Sequence, residues 1–118
     1  MNPPLARGGV VLVRFDRAEG REIKKTRPAV VVSNNVACRH DTVVQVVPVT
    51  SLPDRELRPY ESRCGSSSSG LARPSRAAAN QIRTVSRHRI GQRLGHLTPD
   101  EAKALDRALL IQLGFDAS

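Results

Sequence analysis

The sequence predicts a mainly β-sheet protein that forms a single domain and ends in one α-helix. Three short runs rich in valine, at residues 10–15, 29–33 and 43–50, are separated by stretches that contain glycine, proline and asparagine. This pattern is typical of strands joined by turns. A clear helical spacing of apolar residues occurs only after residue 98. A chain of 118 residues can bury an ordinary core, so we expect residues 1–118 to form one domain.

The first two predicted strands flank a charged loop. Residues 10–15 are rich in β-branched side chains and predict the first strand, and residues 29–33 predict the second. Residues 16–26 are polar and charged, which predicts a long exposed loop that serves either as a functional surface or as a connector. Pro28 disfavours a helical backbone for Arg27, which we expect at the strand entrance as an anion contact or as a solvated charge.

The third predicted strand, residues 43–50, ends in two hydroxyl side chains and follows a turn region at residues 34–41. Its valines occupy both odd and even positions, which indicates that the strand is buried on both faces. Pro48 has no N–H donor, so pairing on one side should end near it. Thr50 and Ser51 then emerge close to solvent. A threonine here is usually just a good strand former, and a catalytic role requires a constellation of groups.

The following segment predicts shorter elements. Residues 52–58 indicate a loop, residues 60–64 a short edge strand, and residues 65–70 a flexible serine-rich loop. Residues 76–85 are ambiguous, because the alanines favour a helix while Ile82, Thr84 and Val85 favour a strand. We expect a strand from about Ala77, partly on the resemblance given below. The last predicted elements of this segment are a helical turn with a basic outer face at residues 86–90 and a short strand at residues 93–97.

The C-terminal segment predicts a helix with defined ends. Thr98 supplies an N-cap hydroxyl, Pro99 suits the first helical position, Glu101 completes a capping box, and Gly114 ends the helix. The residues that form its apolar stripe are Ala102, Leu105, Leu109 and Leu113. The neighbouring Leu110 and Ile111 widen the apolar surface, which indicates a second covered side against the sheet or a second subunit.

Charge and composition restrict the partners. The formal net charge is +8 and the sequence pI is about 11.0, which favours nucleic acid, an acidic protein or an anionic membrane surface. No apolar run approaches the roughly 20 residues of a spanning helix, so we expect no membrane partner. The N-terminal residues 1–7 lack the apolar core of a signal peptide, and we expect a cytoplasmic location.

The cysteines and histidines show no metal-binding pattern. Cys38 and Cys64 are isolated, so we expect free thiols, and the spacing of His40, His88 and His96 predicts surface residues and no metal or other cofactor. Aromatic residues are only 3% of the chain, so a broad base-stacking platform is not expected. Contacts to nucleic acid would therefore depend on arginine and small polar groups.

The order of these features resembles the MazF/PemK toxins of bacterial toxin–antitoxin modules. The matching segments are residues 7–13, 20–22, 26–34, 46–51, 69–71, 80–85 and 94–97, followed by the terminal helix. Each segment is weakly specific alone, but together they cover nearly the whole chain in the same order. The resemblance implies an SH3-like β-barrel of the PemK/CcdB type with a C-terminal helix, which works as a homodimer.

The resemblance also implies a function and a set of site residues. The family mostly cleaves single-stranded RNA at short sequences without metal, leaving a 2′,3′-cyclic phosphate and a 5′-hydroxyl, and an acidic antitoxin inhibits it. The family's catalytic arginine falls on Arg27 and its threonine on Thr50. A guanidinium fork suits a phosphate and keeps its proton in water, so Arg27 is expected first as an electrostatic stabiliser. The residues expected to contact RNA are Arg21, Glu22, Lys24, Ser51, Asn80, Gln81 and Arg83.

Two departures from the family pattern narrow the mechanism. Some members use a histidine and an aspartate as an acid–base pair, and these positions are Arg21 and Asn80 here. Neither side chain is an ordinary general base, so catalysis depends on Arg27 and Thr50 with the possible help of Glu22. Pro74 and Ser75 replace the frequent Asp-Ser of the family, which leaves the start of the next strand open. The alternatives are a non-enzymatic gyrase poison like CcdB and a basic RNA-binding barrel without catalysis.

Overall fold

A computed structural model describes residues 4–15 and 25–116 and contains seven strands and two α-helices in these ranges. The elements are β1 (Gly9–Phe15), β2 (Lys25–Val31), α1 (Asn35–His40), β3 (Val43–Ser51), β4 (Glu61–Cys64), β5 (Ser75–Ala78), β6 (Arg83–Ser86), β7 (Ile90–His96) and α2 (Pro99–Leu113). Short 3₁₀ turns occur at Ser67–Ser69, Ala79–Gln81 and Arg87–Arg89. The predicted fold class, mainly β with one C-terminal helix, is confirmed.

All strand pairs are antiparallel, and the sheet is open. Its order is β4-β5-β3-β2-β1-β7, and β6 pairs with β3 beside this path. The outer strands β4 and β7 do not pair with each other, so the hydrogen-bonded ladder of the described residues does not close into a full barrel. The edge position predicted for the strand near residues 60–64 is confirmed in β4.

The central strand β3 changes partners along its length. It pairs with β2 through residues 46–48, with β6 through residues 43–46, and with β5 through residues 49–51. The last pair between β2 and β3 joins Ala29 to Pro48, which confirms that pairing on one side ends near this proline.

The expected continuous strand from Ala77 is wrong. Val49 pairs with Ala77 and Val46 pairs with Arg83, so β3 advances three residues while its partner advances six. The 3₁₀ turn Ala79–Gln81 accounts for the three additional residues. The ladder between β3 and β5 ends at Ala77, and β3 pairs next with Arg83 of β6. The turn therefore interrupts the strand.

Two hydrophobic clusters, one on each face of the sheet, explain why valines occupy both odd and even positions of the strands. One cluster joins Val10, Val30 and Val47 to Leu105 and Leu109 of α2. The other contains the alternate residues of the same strands and Cys38 of α1, and its strand members are Val11, Val13, Phe15, Ala29, Val31, Val44, Val46 and Val85. The strands β1, β2 and β3 are therefore covered on both faces, as predicted for the third strand.

Two sequence expectations before β3 are corrected. The strand β2 starts at Lys25 and ends at Val31, so Arg27 lies inside the strand and pairs with Val13 instead of standing at its entrance. Its ladder to β1 already includes Lys25, whereas its ladder to β3 begins only at Ala29. The turn expected at residues 34–41 contains the short helix α1, whose N-cap Asn34 accepts a hydrogen bond from the N–H of Ala37.

The serine-rich segment is packed, contrary to the flexible loop expected from its composition. Ser69 is fully buried, and its hydroxyl donates to the carbonyl of Ser66 at 2.7 Å. Gly70 and Gly95 let this turn and β7 approach closely, because a Cβ at Gly95 would lie 2.1 Å from the carbonyl oxygen of Ser68. Close packing against β7 therefore holds the segment in one conformation.

The helix α2 has the predicted ends. The Thr98 hydroxyl accepts from the N–H of Glu101 at 3.1 Å, the Glu101 carboxylate accepts from the N–H of Thr98 at 3.0 Å, and Gly114 has a φ of 83°. The predicted stripe is buried at Leu105 and Leu109, but Leu113 is 56% exposed and lies beyond the sheet. The other exposed apolar side chains at this end are Leu110, Ile111 and Phe115.

The remaining sequence expectations concern single residues and spans. Cys38 and Cys64 are free and buried, as expected, and burial raises the pKa of the Cys64 thiol to about 12. The three histidines are exposed. Within the described ranges, no helix has the length and apolar character needed to cross a membrane.

Candidate active-site cleft

Arg27 and Thr50 lie where β2 and β3 separate. The last pair of their ladder joins Ala29 to Pro48. If the ladder continued in the same register, the next residues on the same face would be Arg27 and Thr50, directly opposite each other. The ladder stops instead, and β3 continues with β5 as its partner. The two side chains therefore border the gap between diverging strands.

This gap is a cleft of about 520 Å³. The residues that line it are Phe15, Arg27, Pro48, Val49, Thr50, Arg55, Tyr60, Glu61, Arg76, Ala78, Asn80, Gln81 and Arg83. The structure thus brings together five of the predicted site residues, which come from β2, β3, β6 and the turn before β6. The 3₁₀ turn Ala79–Gln81 matters here, because its additional residues place Asn80 and Gln81 at the cleft.

The polar side chains of Arg27, Thr50, Asn80 and Gln81 are exposed and form no hydrogen bond with the described residues. Their donors and acceptors are therefore available to a ligand. Arg83 is supported differently, because its guanidinium carbon lies 4.9 Å from the centre of the Phe15 ring. This cation–π contact positions the arginine beside the cleft.

The other predicted site residues have different outcomes. Ser51 is exposed at the end of β3, pairs with Ser75 and does not line the cleft. Arg21, Glu22 and Lys24 lie outside the described residues, as does most of the predicted loop at residues 16–26. The last two residues of that predicted loop belong to β2.

Three charged residues of the cleft were not predicted. The Glu61 carboxylate is buried and accepts two hydrogen bonds from Arg55, at 2.9 Å and 3.0 Å, and one from the N–H of Arg58 at 2.8 Å. The Nε of Arg76 lies 3.2 Å from the same carboxylate. No local motif marks this cluster, because Arg55 reaches Glu61 from the preceding loop and Arg76 becomes their neighbour through the pairing of β4 with β5.

The hydrogen bonds from Arg55 are the main cause that lowers the pKa of Glu61 to about 2 from an ordinary value of 4.5, although burial alone would raise it. A carboxyl with a lowered pKa stabilises the fold above its unfolded pKa, and this contribution is lost as the pH falls from about 4.5 through about 2. Glu61 therefore remains ionised at neutral pH and is a poor proton acceptor.

The charge of the cleft favours an anionic ligand. Its lining contains four arginines, Arg27, Arg55, Arg76 and Arg83, against the single carboxylate of Glu61. Guanidinium groups form strong paired hydrogen bonds with phosphate. A second cavity, of about 400 Å³ beside β7, is mostly apolar and contains none of the predicted site residues. In the part of the chain that the structure covers, no three His, Cys, Asp or Glu side chains form a metal-binding group.

The fold and the cleft define a small β-sheet protein with a cationic site between two diverging strands. Residues 6–113 match the family described as PemK-like, MazF-like toxin of type II toxin–antitoxin system. Endoribonuclease MazF9 of Mycobacterium tuberculosis (strain ATCC 25618 / H37Rv) is 35% identical over 114 residues, which cover 92% of this chain and 96% of that protein. The chain therefore belongs to the PemK/MazF family of toxins.

Solved structures agree with this assignment. A mycobacterial endoribonuclease in complex with its cognate antitoxin has a TM-score of 0.75 and 28% identity, with 93% of this chain and 95% of that chain covered. MazF from Deinococcus radiodurans has a TM-score of 0.78 and 23% identity, with 97% and 100% covered, and shows the same fold.

Proposed function

We propose that this protein is the toxin of a type II toxin–antitoxin system and a metal-independent, sequence-specific endoribonuclease that cleaves single-stranded RNA. The observation that supports this proposal is that Arg27 and Thr50 both line a cationic cleft and form no side-chain hydrogen bond with the described residues. The relationship to a protein named as an endoribonuclease supports the same activity.

The proposed reaction is a transesterification within the RNA. The 2′-oxygen forms a bond to the adjacent phosphorus, the bond from phosphorus to the 5′-oxygen breaks, and the products are a 2′,3′-cyclic phosphate and a 5′-hydroxyl. Arg27 donates to the nonbridging oxygens and stabilises their growing charge, and the Thr50 hydroxyl adds a further donor. Both contacts strengthen as the phosphorane forms, so they lower the barrier.

Two protons must also move in this reaction. The 2′-hydroxyl loses one and the leaving 5′-oxygen gains one. Glu61 does not suit the first role, because its carboxylate is saturated with donors and its pKa is about 2. We assign the proton acceptor to Glu22 or to solvent. Asn80 and Gln81 are placed to read the edges of unpaired bases with their side-chain amides.

The proposed partners are single-stranded RNA, an acidic antitoxin and a second copy of the chain, and the proposed location is the cytoplasm. A net charge of +8 favours an acidic partner, and one structural relative is described in complex with its cognate antitoxin. Homodimer formation would cover exposed apolar residues such as Leu110, Ile111 and Phe115 at the end of α2. A gyrase poison or a non-catalytic RNA-binding protein would not require Arg27 and Thr50 at one phosphate.

The test is cleavage of a mixed RNA pool in the presence of a chelator, with the cut sites mapped by primer extension. We expect the wild type to cut at a short common sequence. We expect Arg27→Ala and Thr50→Ala each to lower the rate by about 10²- to 10³-fold, the range for removing a donor to a developing charge. Arg39→Ala on α1 is the control, since it removes one positive charge outside the cleft.

Two results would contradict the proposal. One is a wild type that leaves RNA intact in this assay and yet remains toxic. The other is cleavage by Arg27→Ala and Thr50→Ala at the rate of the Arg39→Ala control.

A further inference from the structure

Arg76 is a partly buried cation with unused donors. Its side chain is only 21% exposed and lines the cleft. Its Nε lies 3.2 Å from the Glu61 carboxylate but is buried without a well-aligned hydrogen bond. Its two terminal nitrogens have no hydrogen-bond partner in the part of the chain that the structure describes. Four N–H donors of this guanidinium are therefore available.

The charges around Arg76 do not balance. The single carboxylate of Glu61 faces two guanidinium groups, and Arg55 already binds it through two nitrogens. The N–H of Arg58 takes a further position on the same carboxylate. Within residues 4–15 and 25–116, one positive charge of this cluster therefore lacks a counterion, and a partly buried charge of this kind is costly without an anion. A bound phosphate would supply the missing charge and accept the unused donors.

The position of Arg76 relative to the proposed scissile phosphate is fixed by the sheet. Arg76 on β5 pairs directly with Thr50 on β3. Directly opposite residues of an antiparallel pair project to the same face, with their Cβ atoms about 5 Å apart. Thr50 and Arg76 therefore lie side by side on one face, and Arg27 of β2 lines the same cleft. Arg76 lies on the side of Thr50 away from Arg27.

We propose that Arg76 binds a second phosphate of the RNA, the phosphodiester next to the one held by Arg27 and Thr50. Glu61 is a positioning residue that holds Arg76 and Arg55 at the cleft. This inference rests on the proposed RNA cleavage. Two phosphate contacts on adjacent strands of the sheet set the register of the RNA chain, while other residues read the bases.

The experiment uses an oligoribonucleotide that contains a mapped cut site. A 2′-deoxy nucleotide at that site removes the attacking hydroxyl, so binding is measured without cleavage. We expect Arg76→Gln to weaken binding by about 10- to 100-fold, the range for a hydrogen bond to a charged group. The slope of the logarithm of affinity against the logarithm of salt concentration should fall by about 0.7, the value for one phosphate contact on a single strand.

Arg63→Gln is the matched control. Arg63 pairs with Arg76 across β4 and β5, is exposed and does not line the cleft. The substitution Arg63→Gln removes the same charge one strand away. We expect neither the affinity for the oligoribonucleotide nor its salt slope to change. Arg76→Lys keeps the positive charge and should retain the wild-type salt slope. Glu61→Gln removes the positioning charge and should weaken binding, while KM rises more than kcat falls on the cleavable substrate.

A neutral methylphosphonate locates the contact. At the linkage next to the cut site it should weaken binding to the wild type and to Arg63→Gln, with little further loss in Arg76→Gln. The inference is overturned if the wild type cleaves RNA but Arg76→Gln matches Arg63→Gln in affinity and salt slope. It is also overturned if the methylphosphonate weakens Arg76→Gln as much as the wild type. A wild type that cleaves no RNA would instead overturn the proposed function.

Discussion

The start of helix α2 and the cleft differ in how far their polar side chains are hydrogen-bonded within the protein. At the helix start, Glu101 accepts from the N–H of Thr98 and from both the N–H and the hydroxyl of Ser66. In the cleft, the side chains of Arg27 and Thr50 form no hydrogen bond with the described residues. The first arrangement stabilises the fold, whereas the second leaves donors for a ligand. The absence of such hydrogen bonds therefore distinguishes Arg27 and Thr50 from the polar groups at the helix start, and also from Glu61 within the cleft.

The largest effect should come from Gly95→Ala, which alters the contact between β7 and the serine-rich turn on the structural side. The new Cβ would lie 2.1 Å from the backbone carbonyl oxygen of Ser68, which no side-chain rotation relieves. We expect the free energy of unfolding to fall by about 3 kcal/mol, the upper range for overpacking. The measurement is urea unfolding followed by circular dichroism.

Gly91→Ala in the same strand is the control for this change. Its Cβ would meet only the carbonyl oxygen of Leu12, at 3.7 Å, which is an ordinary contact. We expect a change within about 0.5 kcal/mol. Equal stabilities of the two variants would show that the turn moves away from β7 at no cost and would contradict the close packing.

A smaller loss in the free energy of unfolding is expected when the hydrogen bonds at the start of α2 are weakened. Burial alone would raise the pKa of Glu101, but the hydrogen bonds from Thr98 and Ser66 prevail and lower it from the ordinary 4.5. Glu101→Gln should therefore cost about 1–2 kcal/mol at pH 7, and Thr98→Ala about 1 kcal/mol through loss of the cap. Because the folded pKa is lowered, the difference between wild type and Glu101→Gln should shrink as the pH falls below about 4.5.

Asp100→Asn provides the comparison for Glu101. Asp100 is an exposed carboxylate in the first turn of the same helix, so it gains mainly from the helix dipole. Its replacement should cost at most about 0.5 kcal/mol. A thermal melt of each variant at pH 7 and at pH 3 checks both expectations. A Glu101→Gln deficit that grows at acid pH would contradict the assigned role of the carboxylate.

The difference between contacts within one turn and contacts between separate elements explains which features the sequence predicted. The ends of α2 depend on neighbours such as Thr98, Pro99 and Glu101, and these were correct because capping acts within one turn. The cluster of Arg55, Glu61 and Arg76 depends on a loop contact and on the pairing of β4 with β5, and no local rule predicts it. The residues alone left Arg27 open between an anion contact and a solvated charge, and the catalytic roles of Arg27 and Thr50 were predicted from the resemblance to a family.

The errors also have a physical origin in tertiary contacts. The serine and glycine content of residues 65–70 predicted a flexible loop, because these residues lack strong local preferences for helix or strand. In the structure, Ser69 is buried and Gly95 approaches the segment closely, so the segment is packed against β7. The three-residue interruption before β6 was missed because alternation alone does not reveal how many residues bulge from a ladder.

The smallest effect on stability is expected in the cleft itself. Arg27→Ala and Thr50→Val remove exposed groups that form no hydrogen bond with the described residues. Each should change the free energy of unfolding by no more than about 0.5 kcal/mol, the usual range for surface positions. Urea unfolding of both variants beside Glu101→Gln measures the contrast directly. A loss of about 2 kcal/mol in either cleft variant would mean that its side chain stabilises the fold, and the division between the two regions would then fail.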